Sequence, residues 1–177
     1  WEGKAISVSM KLFFIILFVL LSIYVFPPSP EFPQPPTDSV QSGEPADIES
    51  PFRRAYYTNL NRHEVVEHYT TEFNSGFKVF APRLNYPTED APLLIRDQTK
   101  STYLEEIVYP LRESLYINGF EPKTEEYAQY YKGIRYNQKI IIRYVPSSVW
   151  MRVFVLLASN LLGYFLALEY LNAKKQN

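Results

Sequence analysis

The chain has 177 residues, a formal net charge of −1 and no cysteine. Without cysteine the chain has no disulfide framework, no thiolate metal site and no cysteine nucleophile. A net charge close to zero gives no global attraction to nucleic acid, so we expect no nucleic-acid partner. The mean hydropathy of −0.21 averages two strongly apolar segments near the ends and a polar middle of about 120 residues.

Residues 10–26 have the composition of a transmembrane signal anchor. Their apolar run, Leu12 to Phe26, would form a helix spanning roughly 22 Å, which is shorter than the hydrocarbon core of a bilayer. Snorkelling of Lys11 and local thinning of the bilayer accommodate the difference. A signal-peptide core has a similar length, but bulky residues and prolines end this run, so we expect an uncleaved anchor. Residues 1–9 resemble an upstream segment and are left out of the fold prediction.

Residues 148–171 are predicted to form a second transmembrane helix. The stretch Val149 to Leu171 would span about 34 Å, which is enough to cross a bilayer. Its two charged residues, Arg152 and Glu169, lie near its ends. The alternative is a core helix of a soluble domain, but long apolar runs leave no polar stripe for water.

The charges that flank the two segments predict their orientation. Lys11 precedes the first segment, whereas Lys174 and Lys175 lie in the tail, residues 172–177, after the second. The positive-inside rule then places both termini in the cytoplasm and the middle of the chain outside it. Arg143 and Arg152 oppose this orientation, because both lie at the outer end of the second segment.

Residues 27–50 are predicted to be a linker. The segment is rich in proline, serine and acidic residues and shows no apolar periodicity. Its first part, Pro27 to Pro36, favours extended polyproline II, at about 3.1 Å per residue. The sequence therefore predicts a semi-rigid spacer between the membrane and the folded middle.

Residues 51–147 are predicted to fold into a small α+β domain with one sheet and helices on one face. The clearest signal is a helix capped by Asn61 and Glu64, with an apolar stripe and an end at residues 74–76. Asn118-Gly119 is typical of a turn. The other predicted elements are a helix capped by Thr88 and strands at 52–59, 77–81, 103–109, 113–118 and 139–145, which complete the order β-α-β-α-β-β-β. Pro110 interrupts the strand at 103–109, which predicts a sheet edge or a bend there.

The two histidines do not have the spacing of a zinc-protease helix. His63 and His68 are five residues apart, so they lie about 140° apart around a helix and cannot bind one ion together. We expect two crossed pairs on a solvated face, His63 with Glu67 and Glu64 with His68. A metal site completed by carboxylates from elsewhere is the alternative. The acid pairs Glu105/Glu106 and Glu125/Glu126 are interpreted as solvated surface, and no catalytic residue, cofactor or metal ligand is predicted.

Two sets of residues are candidates for contacts with partners. The segment from Tyr127 to Tyr136 looks like a loop, and its tyrosines favour protein or glycan contacts, although they can equally fill a small core. In the second apolar segment small residues recur every four positions, which permits close packing on the first segment or on a second chain. The two sets are Tyr127, Tyr130, Tyr131 and Tyr136, and Ser159, Gly163 and Ala167 with Asn160 as a hydrogen-bonding neighbour.

At residues 26–36, 49–59 and above all 84–122, the chain resembles a family of short, uncharacterised two-span membrane proteins from candidate-phylum bacteria. The resemblance covers Met10 to about Leu171. It implies a bacterial membrane protein and carries neither an activity nor a site residue.

The sequence favours a non-catalytic interaction or assembly component of the bacterial cell envelope. This hypothesis depends on the missing catalytic motifs and on the tyrosine content. One alternative is an envelope hydrolase that uses His63, Glu64 or His68. Another is a small-ligand sensor that signals through Pro146 into the second transmembrane segment.

Overall fold

The computed structural model describes residues 2–73, 83–86, 102–122 and 124–176. The chain divides into two compact units. One is helical and contains residues 1–28 and 147–177, and the other contains the sheet and comprises residues 29–146. The predicted α+β class is confirmed, because two apolar helices flank a sheet unit in the chain.

The helical unit consists of α1, Glu2–Val25, and a C-terminal helix, Val149–Gln176. By length and composition, the stretches Val8–Val25 and Val149–Lys174 within these helices can each cross a membrane. Both helices are longer than predicted. The first begins before residue 10, and the last continues into the predicted tail after residue 171.

The sheet unit is built on one six-stranded antiparallel sheet. Among the described residues its strands are β1 Val40–Gln41, β2 Arg53–Thr58, β3 Arg83–Tyr86, β4 Thr102–Val108, β5 Ser114–Phe120 and β8 Gln138–Val145, with β6 Gln129–Tyr131 and β7 Ile134–Tyr136 in a separate two-stranded sheet. In space the strands of the large sheet follow the order β1-β2-β8-β5-β4-β3, so that β8 and β5 lie at its centre.

The helix α2, Arg62–Glu72, begins as its sequence predicts. The side chain of Asn61 accepts a hydrogen bond from the amide of Glu64 at 3.1 Å, and the carboxylate of Glu64 accepts one from the amide of Asn61 at 2.8 Å. These two bonds satisfy amides that the first turn would otherwise leave unpaired. The apolar stripe of α2 covers one face of the sheet, and the resulting core contains Tyr56, Val65, Tyr69, Phe73, Tyr103, Ile107, Tyr109, Leu115, Ile117, Ile140, Ile142 and Tyr144.

The predicted turn at Asn118-Gly119 is wrong, because both residues lie inside β5. Gly119 is paired with Tyr103 of β4, and the Tyr103 ring lies directly over it. A Cβ atom at Gly119 would be 2.1 Å from Cζ of Tyr103. The glycine is therefore required by the close approach of an aromatic ring and not by a bend of the chain.

The segment predicted to be a semi-rigid spacer, residues 27–50, packs in part along the sheet unit. Pro33 and Pro36 are buried, and Phe32 packs against the core of the sheet unit. Further along, β1 pairs with β2, and a turn of 3₁₀ helix follows at Pro45–Asp47. An extended proline-rich segment has no internal hydrogen bonds, so it can lie along a folded surface as readily as in solvent.

Of the remaining predicted elements, the strands near 52–59, 103–109, 113–118 and 139–145 are confirmed. The strand before Pro110 ends at a bend and not at a sheet edge, since β4 lies between β5 and β3. The predicted helix end at 74–76, the strand at 77–81 and the helix capped by Thr88 lie outside the described residues.

Candidate functional site

The segment from Tyr127 to Tyr136 is not the predicted loop, because residues 129–136 form a β-hairpin and Tyr127 ends a turn of 3₁₀ helix, Glu125–Tyr127, just before it. Its two-residue turn consists of Lys132 (φ 51°) and Gly133 (φ 80°). Positive φ at both central residues is the geometry that matches the twist of two antiparallel strands. The sequence signal was a lysine-glycine pair between two short aromatic runs, which is weaker than an asparagine-glycine pair.

Two of the four predicted tyrosines fasten this hairpin to the sheet unit. The Tyr131 ring stacks on Tyr57 of β2, with 4.6 Å between centroids and 12° between planes. The Tyr131 hydroxyl accepts a hydrogen bond from the amide of Gly43 at 3.2 Å. Tyr136 is buried, and its ring centroid lies 5.7 Å from that of Tyr57. Tyr131 and Tyr136 therefore hold the hairpin in place.

The other two tyrosines are displayed to solvent. The exposed fractions are 55% for Tyr127, 58% for Tyr130 and 57% for Ile134. Beside them the carboxylate of Glu125 accepts a hydrogen bond from the Tyr130 hydroxyl at 3.1 Å and pairs with Arg135 at 2.7 Å. We name Tyr127, Tyr130, Ile134 and Arg135 the hairpin surface. Tyr130 and Arg135 are paired and share one face of the hairpin, whereas Ile134, the partner of Tyr131, lies on the opposite face beside the turn.

A lysine on β8 links the 29–50 segment to the sheet. The Lys139 ammonium lies 2.8 Å from carboxylate oxygens of both Glu44 and Asp47, and 5.3 Å from the centroid of the Tyr57 ring. Burial lowers the pKa of Lys139, but the hydrogen bonds with Asp47 and Glu44 outweigh burial and raise that pKa above its ordinary value. No local sequence pattern indicates this cluster, because Lys139 and the two carboxylates are far apart in the chain.

Glu105 is buried, which contradicts its interpretation as solvated surface. Its side chain is 2% exposed, and Arg62 of α2 and Arg83 of β3 each approach one of its oxygens to 2.7 Å. The Arg62 guanidinium also lies 4.8 Å from the ring centroid of Tyr103. Both carboxylate oxygens are held by arginines, so this glutamate acts as an electrostatic link between three elements. The neighbouring Glu106, on the opposite face of β4, is also buried.

The two histidines are engaged separately. His63 is exposed, and its Nδ1 lies 3.8 Å from the carboxylate of Glu67, as in the first predicted pair. The second predicted pair is replaced, because Glu64 takes part in the helix cap and His68 Nε2 lies 2.9 Å from the carbonyl oxygen of Gln34. Within the described part of the chain, no three histidine or acidic side chains are grouped as a metal site requires.

The small-residue face of the last helix, which we label α3 (Val149–Gln176), meets α1 at its centre. A Cβ atom at Gly163 would lie 3.2 Å from the Phe14 ring, and the Asn160 amide donates a hydrogen bond to the Phe14 carbonyl at 3.3 Å. Along the same face Ser159 is exposed and Ala167 is half-buried. Two of the four predicted residues thus contact α1 of the same chain at Phe14.

Arg152 has a role that its sequence position did not reveal. The residue is 3% exposed, and its guanidinium donates to the carbonyls of Val25 (3.4 Å), Pro27 (3.2 Å) and Ser147 (2.9 Å). The last carbonyls of a helix have no partner within the helix. Arg152 thus caps the C-terminal end of α1 from the first turn of α3, and the two helices run antiparallel.

Burial raises the pKa values of the Tyr69 and Tyr103 hydroxyls above their ordinary value of 10.0. An unfolded tyrosine ionises near pH 10, whereas the folded protein resists this ionisation. These groups, together with Lys139, therefore contribute stability that is fully present below about pH 10 and is lost as the pH rises above it. We expect alkaline unfolding to begin above about pH 10 and to coincide with the rise of tyrosinate absorbance.

The Tyr69→Phe variant tests this pH dependence. The Tyr69 hydroxyl is buried and has no hydrogen-bond partner among the described residues. Its removal should raise the free energy of unfolding by about 1 kcal/mol at pH 7 and move the alkaline midpoint to higher pH. Tyr127→Phe, at an exposed position, is the matched control and should change neither value. An alkaline midpoint of Tyr69→Phe at or below that of the parent would contradict the assignment.

No family model, curated protein or solved structure matches the chain.

Proposed function

We propose that this chain is a two-pass membrane protein of the bacterial cell envelope that serves as a non-catalytic interaction or assembly component. Both termini lie in the cytoplasm, and the sheet unit is displayed on the other side of the membrane. The hairpin surface is the part that meets a protein partner. Kinship with the two-span family of candidate-phylum bacteria stays a prediction and is not needed for this proposal.

The helical unit supports the membrane part of the proposal. Both helices are long and apolar enough to cross a bilayer. Arg152 binds carbonyls at the end of α1, and Asn160 binds the Phe14 carbonyl in its middle, so the helices pair in antiparallel fashion. An antiparallel pair places both termini on one side of a bilayer, and Lys11 and Lys174 favour the cytoplasmic side.

The exposure of the hairpin surface is the observation that supports the proposed binding of a protein partner. Three large side chains that are each more than half exposed lie on the hairpin and on the turn of 3₁₀ helix just before it. The hairpin is held in position by buried tyrosines, so it presents these groups without a large loss of conformational entropy on binding. Tyrosine and arginine are enriched among the residues that contribute most to protein–protein binding. A protein partner with a complementary pocket fits this surface best.

The hydrolase alternative receives no support from the positions of its proposed residues. Glu64 is part of the α2 cap, His63 is exposed on the helix surface, and His68 faces the Gln34 carbonyl. A general acid–base pair needs side chains that converge on one substrate position. These three side chains serve three separate local contacts instead.

The proposal is tested by affinity purification of the full chain from its native membrane. We expect a stoichiometric partner with the parent chain and at least a roughly tenfold loss of it with Tyr127→Ser/Tyr130→Ser. Leu84→Ser, which changes an exposed apolar residue on β3, is the matched control and should retain the partner. Equal recovery with the hairpin variant, or repeated recovery of the chain alone, would contradict the proposal.

The same chain allows a direct control of display, because it has no native cysteine. In whole cells, a membrane-impermeant maleimide should label Ile134→Cys, on the hairpin surface. Ala173→Cys, near the end of α3, should be labelled only after permeabilisation. The reverse pattern would overturn the orientation while leaving the hairpin surface itself intact.

A further inference from the structure

Several strand ends meet at one end of the sheet. There β2 begins, β8 ends, β5 begins and β4 ends, as the pairs Arg53 with Arg143, Ser114 with Val145, and Ser114 with Val108 show. The turn that joins β4 to β5 contains Pro110 and Leu111. We name this region the Leu111 end, comprising Phe52, Arg53, Leu111, Arg143 and Val145.

The backbone and the exposure of Leu111 are unusual together. Leu111 has φ 61°, a left-handed conformation that costs a residue with a side chain roughly 1 kcal/mol and that glycine adopts freely. Its side chain is nevertheless large, apolar and 60% exposed. Phe52 is 43% exposed and Val145 38% exposed at the same end of the sheet. An apolar side chain held outward on a strained turn fits an environment other than water.

Two arginines lie side by side on neighbouring strands at this end. Arg53 and Arg143 are directly opposed on β2 and β8, an arrangement that destabilises a sheet when the charges are alike. Within the described ranges, Arg53 pairs with the exposed Glu49, at 3.3 Å, and its Nε is buried without a hydrogen-bond partner. Arg143 is exposed. Glu49 balances one of the two like charges, so the pair leaves positive charge, above all on Arg143, that is suited to a phosphate group.

The chain itself brings a bilayer close to the Leu111 end. Only residues 146–148 separate the last residue of β8 from the first residue of α3, so at most about 15 Å of chain joins them. The α1 helix ends at Val25, and Ser29 already donates a hydrogen bond to Glu113, in the same turn region as Leu111, at 3.3 Å. A bilayer that takes up both helices therefore has its headgroup layer within reach of this end of the sheet.

We infer that the Leu111 end is a lipid-binding surface. Leu111 and Phe52 enter the boundary between headgroups and acyl chains, while Arg53 and Arg143 bind the phosphate of an anionic phospholipid. The apolar turn beside two opposed arginines favours a lipid over a soluble protein as occupant. Headgroup binding also explains why Arg143 lies at the outer end of the second span, against the positive-inside rule. The inference rests on the proposed function only in requiring that the helices are inserted.

The test uses the full chain in liposomes of phosphatidylcholine with about one-third phosphatidylglycerol. Leu111→Cys is labelled with an environment-sensitive dye, and lipids with a nitroxide just below the headgroup act as quenchers. Ile134→Cys, at 57% exposure on the hairpin surface, is the matched control. We expect quenching at position 111 to exceed quenching at position 134 by at least roughly threefold. Equal quenching would overturn the inference.

A third label separates this inference from the proposed function. Leu161→Cys reports on α3, where the side chain is exposed in the protein alone. Quenching of the label at 161 without quenching at 111 would overturn the lipid-binding surface and leave the membrane anchor standing. The label at 161, near the middle of the span, is read with lipids that carry the nitroxide deep in the acyl chains, and no quenching there would overturn the anchor itself, and the lipid-binding surface with it.

The arginines are tested by Arg53→Gln/Arg143→Gln in the Leu111→Cys background. We expect this variant to lose most of the additional quenching that phosphatidylglycerol produces over pure phosphatidylcholine. Arg135→Gln, on the hairpin surface, should lose none of it. Inorganic phosphate at about 10 mM should leave the quenching at 111 unchanged. Suppression of the quenching by phosphate would assign the arginine pair to a free anion and overturn its assignment to lipid.

Discussion

Replacing Gly119 with alanine is expected to lower the free energy of unfolding of the sheet unit by about 3 kcal/mol. The new methyl group would lie 2.1–2.3 Å from three atoms of the Tyr103 ring. The ring cannot move aside cheaply, because its hydroxyl donates to Gln138 at 2.8 Å and Arg62 covers its face. Unfolding by guanidinium of the full chain in detergent, followed by the near-ultraviolet circular dichroism of its tyrosines, measures this change.

Gly43→Ala is the matched control for this prediction. A Cβ atom at Gly43 would meet only the Tyr131 hydroxyl, at 3.5 Å, which is an ordinary contact. The substitution should change the free energy of unfolding by less than about 0.5 kcal/mol. A Gly119→Ala protein as stable as Gly43→Ala would show that the Tyr103 ring is not held over β5 in the way described.

Replacing Arg152 with leucine should weaken the pairing of α1 with α3 by about 3 kcal/mol. The substitution leaves the carbonyls of Val25, Pro27 and Ser147 without the donor that now serves them. An unpaired backbone carbonyl away from water costs about 1–3 kcal/mol, and Pro27 and Pro28 lack amides that could replace the guanidinium locally. The Arg152→Lys variant should show a pairing strength between those of the parent and of Arg152→Leu, because an ammonium group cannot span the same three carbonyls.

The helix pairing is measured in the full chain by cross-linking. Cysteines at positions 14 and 163 are joined with a short bifunctional maleimide in lipid nanodiscs while sodium dodecyl sulfate is added. The SDS fraction at which cross-linking disappears should be clearly lower with Arg152→Leu than with the parent. Arg135→Leu, which replaces an exposed arginine of the hairpin, serves as the control. The same SDS fraction for Arg152→Leu and the parent would show that the guanidinium does not hold the helices together.

The candidate site was only partly predictable, for reasons seen in its residues. The aromatic composition indicated the segment in which we propose a partner surface, but Tyr131 and Tyr136 differ from Tyr130 only in which side of the hairpin they occupy. That side depends on the strand register and on the position of Tyr57 in β2. Neither is visible in a segment of ten residues without its tertiary neighbours.

Features that depend on neighbours within a few positions could be predicted from the sequence alone. The cap of α2 joins Asn61 to Glu64, three residues away, and the apolar stripe of α2 repeats every four residues. The two apolar segments followed from composition and length alone. In each case the hydrogen bonds or the burial involve one local element, so a short window of sequence contains all the participants.

The places where distant side chains meet depend on the fold, and no local stretch of sequence predicts them. The Glu105–Arg62 pair joins residues 43 positions apart, and the Lys139–Glu44 pair joins residues 95 positions apart. Gly119 looked like a turn residue until β4 placed a tyrosine ring over it. Burial of a charge is favourable only when its partner arrives from another element, and the local sequence does not contain that partner. The geometry of the sheet thus determined which polar residues are buried, and which of the tyrosines remain exposed.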